Sequence, residues 1–193
     1  MNAMADGAQA VLQFWFGDAS PAVSRPEWFR KNDAFDHEIA QRFGPLIEQA
    51  LRGELSGWQG NTETALAQVI VLDQFTRNVF RNTPRAFAGD PLALAAARTM
   101  LDRGQDQDLP PWQRFFAYMP LEHAEDLAMQ DESVRRFTQL AAEAPDTQEL
   151  LDYAKRHRDV IARFGRFPHR NAILSRPSTP EEIEFLKQPG SGF

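Results

Sequence analysis

The sequence predicts an all-α domain of about eight or nine helices. Three observations carry that expectation. Apolar residues recur at helical spacing through most of the chain. Proline and glycine fall at the ends of those stretches more than within them, as helix starts and stops. No stretch alternates apolar and polar residues as a half-buried strand would, and no repeat of solenoid period stands out.

The elements follow in order. Val11-Leu12-Gln13-Phe14-Trp15-Phe16 closes a first helix at Gly17, and a proline-containing loop follows through Pro26. Phe35, Ile39, Phe43, Leu46, Ile47 and Ala50 mark the next helix. Gly44-Pro45 interrupts it, which predicts a kink or two abutting helices before Gly53 ends the element. Leu55 to Gly60 is a connector, and Asn61 or Thr62 caps a helix that reaches Phe80. Asp90 before Pro91 predicts a side-chain cap with proline in the first turn, and Gly104 closes that helix. Asp108 with Pro110 and Pro111 opens another, which meets Pro120. Asp131 is expected to cap a helix stopped by Pro145. Asp146 with Glu149 resembles a capping box for a helix that ends at Phe164-Gly165. Thr179-Pro180-Glu181-Glu182 combines cap, proline and glutamate ahead of a short helix through Leu186. Residues 1–187 are expected to form one domain, with 188–193 a loose tail.

The chain of 193 residues is long enough for a substantial core, which fifteen phenylalanines and four tryptophans make aromatic-rich. A net charge of −6 argues against general affinity for nucleic acid or for an anionic membrane surface. Zero cysteines exclude disulfides, thiolate metal sites and cysteine nucleophiles. The first ten residues lack the basic and apolar regions of a secretory signal, and no run approaches the ~18 apolar residues of a membrane span. A cytoplasmic protein is expected.

Helical geometry singles out polar residues on apolar faces. In the helix from Thr62 to Phe80, Leu66, Val69, Ile70 and Phe80 fall within about 60° of Asp73, and Arg77 shares that face one turn on. Val71 and Phe75 cover the far side, so this helix is expected to be central. His157 lies among Leu150, Tyr153, Ala154, Val160, Ile161 and Phe164. If its helix continues past Pro120, His123 points with Phe116, Met119 and Leu127, with Gln130 on the same face and Asp126 beside it. An unpaired buried polar group costs on the order of 1–3 kcal/mol. Several helices accepting that cost point to one shared network, either a structural clasp or the floor of a pocket.

The stretch Arg163-Phe164-Gly165-Arg166-Phe167-Pro168-His169-Arg170-Asn171 supplies the counterpart. Guanidinium groups gathered in an acidic chain have an anion to hold, a carboxylate of the chain or a ligand.

These stretches resemble a known family. Leu72-Asp73-Gln74-Phe75-Thr76-Arg77-Asn78-Val79-Phe80-Arg81, followed by Ala86-Phe87-Ala88-Gly89-Asp90, is similar to its first block. Tyr118-Met119-Pro120-Leu121-Glu122-His123-Ala124-Glu125-Asp126-Leu127 resembles the second. Phe164 to Asn171, with Leu174, Arg176 and Ser178-Thr179-Pro180-Glu181-Glu182, resembles the third. The family is the bacterial domain of unknown function 924. The resemblance implies a tetratricopeptide-like fold of antiparallel helix pairs and carries over no catalytic residue. Ala124 stands where the family pattern has serine and Glu122 where methionine is usual, which weakens a serine-hydrolase reading.

Three functional readings follow. The leading one is a polar pocket for a small anionic molecule or a peptide carboxylate. Arg77, Arg166 and Arg170 clamp the anion; Asn78, His123, His157 and His169 orient it; Asp73 positions an arginine; and Arg81, Gln130, Asn171 and Arg176 complete the candidate set. The alternative is an enzyme, by acid–base or metal-assisted hydrolysis, with His123 or His157 as general base and Asp126 as orienting partner. The third is a fold-locking clasp in which Asp73 takes Arg77 and one of Arg166 or Arg170. No compact metal signature, glycine-rich phosphate loop, dinucleotide fingerprint or nucleophile elbow is present, so neither metal nor cofactor is expected. Phe164 and Phe167 among arginines invite base stacking, but Phe164 belongs to its helix's apolar stripe and the chain is acidic, so no nucleic-acid partner is expected.

Overall fold

The structure, a computed structural model, describes residues 3–17 and 24–192. Every regular element among them is helical. Helix α1 (Ala3–Phe16) stops at Gly17, whose φ of +76° a side chain would resist. The proline-containing loop after it falls largely outside the described residues. The chain re-enters in a short 3₁₀ turn, Pro26–Trp28.

Helix α2 (Asp33–Leu51) is capped by the Asn32 side chain, which accepts from the backbone N–H groups of Ala34 and Phe35. It is one helix, not two. Pro45 lies inside it, and the buried stripe of Phe35, Ile39, Phe43, Ile47 and Ala50 continues through that missing hydrogen bond. The next segment departs from expectation more sharply. Helix α3 (Thr62–Val69), capped by Asn61, runs into a π-helical turn, Ile70–Phe75, before α4 (Thr76–Val79). Every residue from Thr64 to Thr76 is buried, as the all-round apolar pattern predicted.

Helix α5 (Asp90–Asp102) corrects a second expectation. Gly89 holds the N-cap position, and the Asp90 side chain makes no cap because Arg77 takes both its oxygens. Gly89 serves a further purpose. A Cβ built there would lie 2.1 Å from the carbonyl oxygen of Leu72, so only glycine lets the two backbones approach so closely.

Helix α6 (Pro111–Glu122) passes through Pro120 but ends before His123. His123 therefore lies on a turn rather than on the helical face expected for it. Helix α7 (Leu127–Glu143) begins a turn earlier than predicted, and its cap is Asp126 rather than Asp131. The Asp126 side chain accepts from Met129 N–H at 3.1 Å. Helix α8 (Gln148–Phe164) starts after Thr147 without a side-chain cap, so the expected Asp146–Glu149 capping box is not formed. It stops at Gly165, φ +69°. The short link through Pro145–Thr147 makes α7 and α8 antiparallel neighbours, and Arg158 Nε on α8 donates to Asp131 Oδ1 on α7 at 2.9 Å. Helix α9 (Pro180–Leu186) carries the predicted capping box, with Thr179 and Glu182 bonding each other's backbone.

The described chain divides into two compact units. The first runs up to Arg81 and includes Arg85–Pro120; the second joins Asn82–Pro84 to the chain from Leu121 onward. The core of the first is aromatic. Phe14 stacks on Phe35 at 4.9 Å, Phe43 packs on Phe75 at 5.0 Å, and Trp28 meets Phe116 edge-on at 4.9 Å. In the second, Val160, Ile161 and Phe167 pack together against Phe164 and Phe185. No described helix is long and apolar enough to cross a membrane.

Gly89→Ala should lower the melting temperature by about 5–10 °C, because the new methyl meets backbone that cannot rotate away. Scanning calorimetry checks this; an unchanged transition would show that the approach is not required.

Candidate functional site

Each cluster of polar residues is built within one unit. In the first, the π-turn carries Asp73 and Gln74, and α4 follows with Arg77 and Asn78. Arg77 donates to both oxygens of Asp90, at 2.8 and 3.1 Å, and to the backbone oxygen of Asp73 at 2.9 Å. Its Nη1 also lies 3.3 Å from the Asp73 carboxylate, the i,i+4 pairing that the sequence suggested. Gln74 Nε2 donates to the same carboxylate at 2.5 Å. Burial works against the charge on Arg77, but Asp73 and Asp90 together more than offset it and raise its pKa above the ordinary value. One turn on, Asn78 and Arg81 share Asp36 of α2. Asn78 Nδ2 donates at 2.6 Å, and Arg81 donates through Nε and Nη2 at 3.0 and 3.1 Å.

In the second unit, the loop after α8 folds around two carboxylates. Arg166 grips Glu182 with two hydrogen bonds, 2.7 and 2.8 Å, and also donates to the Pro177 carbonyl. Glu182 further accepts from Thr179 N–H at 2.7 Å and from Asn171 Nδ2 at 3.3 Å. Asn171 in turn accepts from Arg176 Nε at 3.0 Å. Arg176 grips Glu125 at 2.6 and 2.9 Å and donates to the Phe167 carbonyl, while Phe167 N–H donates to Glu125 at 2.8 Å. The Arg166 guanidinium is the main reason that the Glu182 pKa falls to about 2. Burial pushes Glu125 upward, but Arg176 and the Phe167 N–H outweigh it and hold the pKa below the usual range.

Between these anchors lies a group of imidazoles. His157, on α8 and 5% exposed, has Nδ1 3.0 Å from the Tyr153 carbonyl oxygen and 3.2 Å from Glu122 Oε1. A carbonyl only accepts, so Nδ1 carries the proton and Nε2 keeps its lone pair. The ring is 6.5 Å from that of His123 and 5.5 Å from that of Phe167. Phe167 lies 5.6 Å from His169, and the Arg170 guanidinium sits 4.5 Å over its face. Burial, with His123, His169 and Arg170 as lesser contributors, pushes the His157 pKa down to about 3. His157 is neutral at physiological pH, and a group that weakly basic is a hydrogen-bonding side chain rather than an effective general base.

Gln130 and Asp126 hold the turn on which His123 sits. Gln130 Nε2 donates to the carbonyls of Glu122 at 2.6 Å and Ala124 at 2.7 Å, and Asp126 caps α7. Among the described residues no group of three or more histidine and acidic side chains is arranged to hold a metal ion. The carboxylates that receive the arginines, Asp36, Asp90, Glu125 and Glu182, were not in the sequence-derived set. Asp90 and Glu125 stood in the family-like blocks and Glu182 in the capping box as well, while Asp36 carried no signal.

A family model described as a bacterial protein of unknown function, DUF924, matches residues 11–190. The chain belongs to the DUF924 family. A solved structure of a protein of unknown function from Agrobacterium tumefaciens, ATU0120, is similar at 41% identity, with a TM-score of 0.84. The match covers 95% of this chain and 98% of that one. No curated protein matches. The blocks named from the sequence hold Arg77, Asp90, Glu125, Arg166, Arg176 and Glu182 of the anchors and His123 and His169 of the histidine group, while Asp36 and His157 lie outside them.

Two outcomes follow from the shifted groups. Glu182 has a folded-state pKa of about 2 against an ordinary 4.5, so its contribution is complete above pH 4.5 and is lost as pH falls toward 2. Glu182→Gln should flatten the dependence of melting temperature on pH across that window; an unaltered slope would show that the Arg166 contact stabilises nothing. For His157 the unfolded chain takes up a proton near pH 6.5 that the folded protein refuses until about pH 3, so its burial costs increasing stability across that interval as pH drops. Long-range ¹⁵N–¹H NMR correlations at pH 5 should show a neutral ring protonated on Nδ1. An imidazolium signal there would contradict the assignment.

Proposed function

We propose that the second unit binds a small anionic ligand or a peptide carboxylate at His123, His169 and Arg170, with neutral His157 as an orienting hydrogen-bond group. One observation carries the reading: His123, His169 and Arg170 all lie close enough to His157 to oppose its protonation. That is a convergence of cationic or protonatable groups, with His123 and His169 both partly exposed. An anion placed there gains from each of them. The other arginines of the candidate set have carboxylates of the chain as partners. Arg77 is held by Asp90 and Asp73, Arg81 by Asp36, Arg166 by Glu182 and Arg176 by Glu125. Those pairs favour an anchoring role for them. The low basicity of His157 favours binding over acid–base catalysis.

Melting temperature measured against rising phosphate, acetate and citrate tests this. A saturable rise is expected. It should vanish in Arg170→Met and in His169→Ala but persist in Arg81→Gln. A rise of equal size in all three variants, or none in the parent protein, would refute the reading.

A further inference from the structure

Met119 is partly exposed, and its sulfur receives a buried donor. Gln74, on the π-turn and 6% exposed, sends its side-chain nitrogen to two acceptors, Asp73 Oδ2 at 2.5 Å and Met119 Sδ at 3.4 Å. All three residues belong to the first unit. The direction of the amide is fixed. Turned over, it would set oxygen against the carboxylate that also faces Arg77 at 3.3 Å. Other methionines differ. Met100 is fully buried, and Met129 is partly exposed but has no donor on its sulfur among the described residues. Met119 combines access from solvent with a directed hydrogen bond.

That combination has a stereochemical consequence. A thioether sulfur has two faces, one on each side of its C–S–C plane, and oxygen added to one face gives the opposite epimer from oxygen added to the other. At Met119 the Gln74 amide covers one face. Because Gln74 is buried, a small oxidant dissolved in water reaches the sulfur from the other side.

We propose that Met119 is an oxidation site for hydroperoxides, with Gln74 restricting the product to a single epimer of methionine sulfoxide. The sulfur lone pair on the uncovered face attacks one peroxide oxygen. The S–O bond forms as the O–O bond breaks, and sulfur gives up two electrons. The proton on the transferred oxygen passes to the oxygen that leaves, as water or an alcohol. The new oxygen stays on the solvent side, where water satisfies it, and the amide keeps its bond to Asp73. Oxidation is thereby accommodated at the edge of the Asp73–Arg77–Asp90 anchor rather than within it. A single epimer is also a substrate for just one of the two epimer-specific sulfoxide reductases, so one enzyme class suffices to reverse the modification.

Brief treatment of the folded protein with hydrogen peroxide, followed by digestion and mass spectrometry, tests this. Met119 should oxidise about ten times faster than Met100, or more. In the digest, one epimer-specific reductase should remove roughly nine-tenths of the Met119 sulfoxide and the other roughly a tenth. Protein oxidised while unfolded in urea should give near-equal removal by both. Gln74→Ala, which uncovers the second face, should shift the folded protein toward that ratio. Met119 left reduced in the folded protein, or equal removal of its sulfoxide by the two reductases, overturns the proposal. The measurement on the parent protein decides alone should Gln74→Ala fail to fold.

Discussion

The carboxylate of Glu182 is the point on which the second unit depends. It accepts two hydrogen bonds from Arg166, one from the backbone of Thr179 and one from Asn171, and its side chain is only 2% exposed. A buried carboxylate is tolerated only when its lone pairs are met, and here cationic and amide donors meet them from the loop after α8 and from the start of α9. The capping box of α9 and the closure of the loop are therefore one interaction. Glu125 does the same from the turn before α7, holding Arg176 and the backbone of Phe167. Phe167 is fixed at both its N–H and its carbonyl, and it is the ring around which His157, His169 and Arg170 gather.

The first unit obeys the same rule with different residues. Arg77 draws Asp90 at the start of α5 and Asp73 on the π-turn to one guanidinium, and Arg81 with Asn78 takes Asp36 from α2. In an acidic chain most arginines meet carboxylates of their own polypeptide. His157 differs, since burial above all favours its neutral form. The ring of His157 is thus a weakly basic, hydrogen-bonding group.

Much of the fold was legible in the chain. The helix ends at Gly17, Gly104 and Gly165 and the capping box at Thr179–Glu182 are local devices, set by one residue's backbone freedom or by a three-residue spacing. The burial of Thr64 to Thr76 followed from an apolar pattern on every side. The failures had a common cause. Asp90 was expected to cap its own helix and instead went to Arg77; Asp126 was a partner for histidine on paper and became a cap; the π-turn changed the winding around Asp73. Each aspartate had two local chemistries open to it, and a contact elsewhere chose between them.

The sequence by itself determined that this is a helical protein with an aromatic core, and which polar residues are set among apolar ones, because periodicity and steric punctuation act over a few residues. Only the tertiary structure decided that Glu182 and Glu125 receive Arg166 and Arg176, and that His157 is neutral with its proton on Nδ1. Those facts depend on distances between residues 16 and 51 positions apart and on exclusion of water, neither of which is written in local spacing.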